Sequence, residues 1–254
     1  MSPNPIKTTI WLWPSGLYPR RIIYFLLIKK LALSTLAAHN IHLIPIHLSP
    51  TGLISATGLE SRPAGTSVPL MRLSYADGTH FLIHETSSIL EYLQEIFPGG
   101  PDIRGETVHQ RARSRDVLSL LGEAIVWYGV EVFHSDPNTA TWSGLRVEDQ
   151  SPAAAAHGRM KVGTLLDKLE GWVREDVEGK GAVSLVGGEQ ATLADLALVA
   201  PVEYFREKFG ADWIKGHGVL ETWYGRMKEQ DWVAGGKKLA EVEETGDWEL
   251  VLGA

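Results

Sequence analysis

The sequence contains no cysteine. That excludes disulfide staples, thiolate metal ligands and any mechanism in which a protein thiol is the nucleophile. Positive charge is also scarce. Twenty-four Lys and Arg stand against 31 Asp and Glu, and the formal net charge of −7 opposes broad binding to a phosphate backbone, so nucleic acid is not an expected partner. An early membrane span is missing too: the most apolar early stretch, Ile22 to Leu33, is broken by Lys29 and Lys30 and falls short of that length. Met1 to Lys7 holds two prolines and no apolar core of signal-peptide type, so the expected setting is cytoplasmic, with no membrane partner. What remains is ordinary globular composition, 44% hydrophobic and 22% charged, in a chain of 254 residues that is long enough for two compact domains.

The first hundred residues alternate strand and helix signals. Thr8 to Trp13 is β-branched and aromatic, and Pro14, Ser15 and Gly16 form a turn cluster behind it. Pro19 suits the first turn of a helix running to about Leu31, whose apolar residues Ile22, Ile23, Phe25, Leu26, Leu27 and Ile28 occupy nearly every side. Ile41 to Leu48 reads as a second strand and Pro50 to Ser67 as irregular. Asp77-Gly78 between Pro69–Leu73 and His80–Ile83 is a hairpin signal. Ile89, Leu90, Leu93, Ile96 and Phe97 then follow at one-face helical spacing up to Pro98-Gly99-Gly100-Pro101. Beyond the break only helical stripes remain, such as Val117, Leu118, Leu121, Ala124, Ile125 and Tyr128, or Val162, Leu165, Leu166, Leu169, Trp172 and Val173. The expected organisation is a β-α-β-plus-hairpin domain over 1–98, a linker over 99–105 and an all-helical domain over 106–254.

Two segments carry candidate binding chemistry. In Ser67-Val68-Pro69 the proline either simply opens a strand or follows a cis bond that turns the Val68 backbone outward, where an extended peptide could pair with it. In His84-Glu85-Thr86-Ser87 the hydroxyls either cap the following helix or help its N-terminus bind a carboxylate, with Glu85 holding an adjacent ammonium group. His80 and His84 lie four apart with no third ligand nearby, so no metal is expected. Arg20-Arg21 and Lys29-Lys30 read as ordinary helix charges. Thr192-Leu193-Ala194-Asp195 reads as a structural capping box.

Together, SVPLMRLSYADGTHFLIHETSSILEYLQEIFP resembles the second half of the glutathione-binding domain of the glutathione transferase family, and WPSGLYPRRIIYFLLIKKL resembles its first strand, active-site turn and first helix. The segment RPAGTSVP is similar to the family's Asn-Pro-x-Gly-x-Val-Pro lead-in, with Arg62 for the asparagine and one residue inserted. The resemblance implies an α/β thioredoxin-like domain followed by an all-α domain, in a serine-type member of fungal or bacterial kind. It also implies glutathione as co-substrate, a hydrophobic small-molecule substrate, no metal and a homodimer. Val68 and Pro69 would then meet the cysteinyl backbone, and Glu85 and Thr86 the γ-glutamyl group.

The same resemblance makes Ser15 the candidate catalytic residue, its hydroxyl donating a hydrogen bond to the glutathione sulfur, with Tyr18 in reserve. It implies a substrate pocket between the halves, for which Trp13, Leu17, Trp127, Tyr128 and Phe133 are candidates; as aromatic and apolar residues on helical stripes they are also candidates for core. Three activities stay open: conjugation of the thiolate to an electrophile, reversible addition giving double-bond isomerisation, and glutathione binding without catalysis.

Overall fold

The structure, a computed structural model, describes residues 5–49, 52–177 and 182–254. Most of the Met1–Lys7 segment and the start of the Pro50–Ser67 segment lie outside the described residues.

Strand β1 (Lys7–Leu12) is the centre of a five-stranded sheet. It pairs in parallel with β2 (Ile41–Ser49), Thr8 opposite Ile41, and antiparallel with β4 (Leu70–Ser74), Ile10 opposite Met71. With a neighbour on each side and layers over both faces, Thr8 to Leu12 are all buried, which explains a run that is apolar and β-branched instead of alternating. Strand β5 (His80–Ile83) completes the hairpin with β4. Its turn is built by Gly78 at φ +83° and by the Asp77 carboxylate, which accepts from the Thr79 N–H at 2.9 Å and hydroxyl at 2.7 Å.

The stretch read as irregular holds one further strand. β3 (Gly52–Ser55) runs antiparallel to β2 at the sheet edge, Leu48 opposite Leu53, giving the order β3-β2-β1-β4-β5. Four residues are too few for an alternation signal to stand out from the flanking Gly, Ser and Pro. From Ala56 to Pro69 the chain is irregular, as expected.

Helix α1 (Leu17–Ile28) is buried on nearly all sides, with Ile22 to Leu26 wholly inaccessible. A short helix, α2 (Leu33–Ala38), precedes β2, and α3 (Thr86–Ile96) packs on α1 with Ile89, Leu90 and Leu93 buried.

The chain forms two compact units. One contains the residues up to Ile103 together with Val199–Asp212 and Met227–Ala254; the other contains Arg104–Leu198 and Trp213–Arg226. In the second, α4 (Val108–Ser135) opens with a reciprocal capping box, the Thr107 hydroxyl accepting from Gln110 N–H and the Gln110 side chain accepting from Thr107 N–H. Among the described residues α4 is the one helix long and apolar enough, by length and composition, to cross a membrane. Here it is a packing partner of α6 (Pro152–Val177). Gly158 brings the two backbones together so closely that a Cβ there would lie 2.8 Å from Trp127 O and Glu131 N. After the short α5 (Ala140–Ser143), this unit also holds the start of α7 (Leu193–Phe209) and most of α8 (Gly218–Met227).

The capping motif at the start of α7 extends further than the sequence suggested. Wholly buried Asp195 accepts from Thr192 N–H (2.7 Å), the Thr192 hydroxyl (2.8 Å), the Ser184 hydroxyl (2.6 Å), Leu185 N–H (2.8 Å) and the Trp223 indole (3.2 Å).

The first unit is completed by two C-terminal helices, α9 (Gly236–Thr245) and α10 (Glu249–Leu252). Helix α9 lies on β2, with its Leu239 and Val242 buried and Glu243 Oε1 accepting from Leu48 N–H at 3.4 Å.

Candidate functional site

Strand β1 ends by delivering Ser15 into a tight turn. Gly16 N–H donates to Trp13 O at 2.8 Å, and Arg20 N–H to Gly16 O at 3.2 Å as α1 begins. Glycine at 16 is set by space: a Cβ would sit 2.8 Å from the Trp13 ring and 3.0 Å from its carbonyl. Ser15 is 5% exposed and lines a cavity of about 680 Å³ within the first unit. Around that cavity stand His47 of β2, Thr57, Lys208 of α7, and Glu243 and Glu244 of α9. Of the residues expected at the site, Ser15 alone lines it.

The other expected residues sit as follows. Tyr18 is 41% exposed, its ring 5.2 Å from the Arg21 guanidinium. Trp13 is half-buried with Lys208 Nζ 5.9 Å from its ring centre, and Leu17 is buried. The Val68–Pro69 bond is cis. Val68 is partly buried against Trp11, Ile44, Ile46 and Leu70, and Pro69 is buried.

At the start of α3 the side-chain cap expected as one reading is not formed. The N-cap is Glu85, exposed and making no capping bond, while Thr86 is already the first helical residue and is buried. The motif is one residue out of phase with the capping reading, which wanted a hydroxyl in the non-helical position.

In the second unit the three aromatic pocket candidates each have an aromatic neighbour. Trp127 meets the His157 ring edge-on at 5.3 Å, Tyr128 meets Trp213 at 6.1 Å, and Phe133 meets Trp142 at 5.2 Å. Burial, with the Glu131 charge adding to it, pushes the Tyr128 hydroxyl up to about 12, so it stays protonated.

Sequence reading missed the groups behind Ser15. Arg20 is not a solvated helix charge: its side chain is wholly inaccessible. Its guanidinium grips Glu207 of α7 with both ends, Nη1 to Oε1 at 3.1 Å and Nη2 to Oε2 at 2.5 Å, and Nη2 also donates to the Ser15 carbonyl at 3.3 Å. Burial alone would lower the Arg20 pKa, but the hydrogen bonds and charge of Glu207, with Tyr24 and Glu203 nearby, raise it. Neighbouring Arg21 is half-buried, and desolvation lowers its pKa to about 10 despite Tyr18. One signal was present: a helix apolar on nearly every side leaves no wet face for two arginines. The partner, 187 residues away, left no local trace.

Among the described residues no three His, Asp or Glu gather as a metal-ligand set, and His80 Nδ1 lies 3.1 Å from Ser74 Oγ.

No family model matches this chain, and no curated protein matches it in sequence. Solved structures do. A glutathione transferase, F7, from Populus trichocarpa is 18% identical with a TM-score of 0.62, covering 93% of this chain and 99% of its own. A glutathione S-transferase from Methylobacillus flagellatus, solved with glutathione bound, is 16% identical with a TM-score of 0.64, covering 92% and 98%. The fold is that of the glutathione transferases. The protein FzlA from C. crescentus shares it, at 19% identity, a TM-score of 0.60 and 90% coverage of each chain. A thioredoxin-like sheet domain followed by helices is thus the architecture of this chain. At these identities the likeness speaks for fold and not for chemistry.

Proposed function

We propose that this chain binds glutathione and stabilises its thiolate for transfer to a hydrophobic electrophile. The observation that carries the reading is the position of Ser15, on the turn after the central strand and on the wall of a cavity large enough for a small molecule. The start of α3 suits the peptide's γ-glutamyl end. Its N-cap side chain makes no capping bond, so a carboxylate there would meet backbone N–H groups and the positive end of the helix dipole, with exposed Glu85 beside it for the ammonium group. Val68, next to the start of β4, would pair with the cysteinyl backbone through its own N–H and C=O.

In this reading Ser15 donates its hydroxyl hydrogen to the sulfur, with Tyr18 as the alternative donor. A hydrogen bond to a charged acceptor is worth about 1.5–3 kcal/mol, enough to lower a thiol pKa by about one to two units. From about 8.5 that makes thiolate a major form near neutral pH. The thiol proton is lost to water, the sulfur forms a bond to the electrophilic carbon, and the displaced group leaves with the electron pair. Nucleophilicity falls as basicity falls, so this gains less than about tenfold. Holding thiolate and electrophile together must supply the rest. Trp13, Leu17, Trp127, Tyr128 and Phe133 are the candidates for the apolar wall that does so. Reversible addition and elimination at the same sulfur would give isomerisation instead. The reading includes a cytoplasmic homodimer.

The non-catalytic reading has one observation in its favour: Ser15 is only 5% exposed. Titration calorimetry with glutathione, and thiolate absorbance against pH, separate the cases. Glutathione should bind, and Glu85→Ala should weaken it by about tenfold, as loss of one charged hydrogen bond does. Ser15→Ala should raise the bound thiol pKa by about one to two units with affinity little changed. No binding at millimolar glutathione refutes the proposal. Binding with an unshifted thiol pKa leaves a binder and not a transferase.

A further inference from the structure

We propose that the buried Arg20–Glu207 ion pair positions Ser15, and that the first turn of α9 sets that pair. The inference rests on the reading of Ser15 given above. Three observations converge on it. Arg20 follows Ser15 by five residues, and its Nη2 is shared between the Ser15 carbonyl at 3.3 Å and Glu207 Oε2 at 2.5 Å. A wholly buried guanidinium is a costly way to join two helices where apolar side chains would serve as well. Its fork holds Glu207 through two bonds, which fixes the plane in which the remaining N–H points at residue 15. Behind Glu207, Gly236 lies so close that a side-chain carbon there would overlap the carboxylate. Glu207 therefore sits at the N-terminal end of α9, where the helix dipole favours a negative group and Gly235 provides no side-chain cap.

The chain of contact thus runs from Gly236 through Glu207 and Arg20 to the Ser15 carbonyl. The Ser15 carbonyl and the Gly16 N–H belong to one peptide group, which is thus held at both ends, by Arg20 Nη2 and by the Trp13 carbonyl, and the crowding at Gly16 confines it further. That peptide sets the direction of the Ser15 Cα–Cβ bond, and with it the few positions open to the hydroxyl. The same α9 carries Glu243 and Glu244 to the cavity wall, so its seating also sets the far side of the cavity. Arg20 and Glu207 are positioning residues: neither lies on the wall of the cavity that Ser15 lines.

The test is made on the full chain with glutathione and an aryl chloride, the thiolate displacing chloride. Wild type is measured first. Absence of glutathione binding there removes the functional reading, and this inference with it. If wild type binds and shows a lowered thiol pKa, Glu207→Gln and Gly236→Ala are compared with it, folding being checked by circular dichroism. Gly236→Ala perturbs the carboxylate from outside and serves where Glu207→Gln folds poorly. Each should raise the bound thiol pKa by about half to one unit, which is about 3–10-fold less thiolate below both values. The kcat near neutral pH should fall by less, about two- to fourfold, because the more basic sulfur is also the better nucleophile, with KM for glutathione within about twofold. In a Ser15→Ala background Glu207→Gln should shift the thiol pKa no further. An unchanged pKa in the folded variants overturns the inference. So does an equal shift with and without Ser15, because Arg20 would then act on the sulfur by its own charge.

Discussion

Asp195 and Arg20 are both wholly buried charges, and the two units hold them in opposite ways. Asp195 accepts five hydrogen bonds, four from residues within eleven positions of it and the fifth from the Trp223 indole. Arg20 has one carboxylate 187 residues away and one backbone carbonyl, and among the described residues its Nε makes no hydrogen bond. The first is a closed local network that defines a helix start. The second is an incomplete, long-range one, and incomplete buried networks are expensive. A fold that needs only stability has no reason to keep the second. A fold that needs the Ser15 turn held in one geometry does.

The largest effect should come from breaking the complete network. Asp195→Ala would leave two backbone N–H groups, two hydroxyls and an indole in a dry interior without their acceptor. Loss of a buried, hydrogen-bonded charge costs about 3–5 kcal/mol, or roughly 10 °C in Tm for a protein of this size. Thermal unfolding by circular dichroism checks it. No compensating second substitution should restore it, because the stranded donors include the main chain.

Arg20 should behave differently under the same treatment. Arg20→Met leaves Glu207 as the unpaired partner, but that side chain is 29% exposed and can rehydrate, so the loss should be smaller, about 2 kcal/mol. Adding Glu207→Met should recover most of it, as apolar replacement of a buried pair commonly does. If the double variant is as unstable as Asp195→Ala, the contrast between the two networks fails. If it is as stable as wild type but has lost turnover, stability and positioning have been separated.

The same contrast explains what the sequence could and could not tell. The Asp77-Gly78 turn, the one-face spacing of Ile89, Leu90 and Leu93 and the motif from Thr192 to Asp195 are local devices, written within a few residues, and each was legible. The burial of α1 was legible from its all-round apolar pattern, but not what its two arginines do there, because their environment is supplied from elsewhere in the chain. The cavity beside Ser15 was illegible for the same reason: Lys208, Glu243 and Glu244 are nearly two hundred residues or more from the turn they face. Strand β3 and helix α2 escaped because four and six residues carry too little periodicity. The cap of α3 was misread by one position, which moved Thr86 from the cap into the helix.

A third network provides the smallest effect and a control on solvent. Glu60 bridges Lys7, at 3.0 Å, and Arg72, whose guanidinium also lies 5.2 Å from the Trp11 ring centre; the Trp11 indole in turn donates to the Glu60 carbonyl at 3.0 Å. Partial burial works to raise the Glu60 carboxyl, but the Lys7 and Arg72 hydrogen bonds and charges outweigh it and hold it below the usual carboxylate range. The folded state therefore binds this proton less readily than the unfolded state. Its stabilising share is fully present above the unfolded value near 4.5 and is lost as pH falls through the lowered folded value. Water reaches a third of the Glu60 side chain, so screening keeps the share small. Glu60→Gln should lower Tm by a degree or so at pH 7, and the gap from wild type should close as pH drops below about 4. Raised salt should narrow it at pH 7, whereas the loss in Asp195→Ala, buried beyond the reach of ions, should not respond to salt. A salt-insensitive gap at Glu60 would mean that the Trp11 and Arg72 packing, and not the charges, is what that residue stabilises.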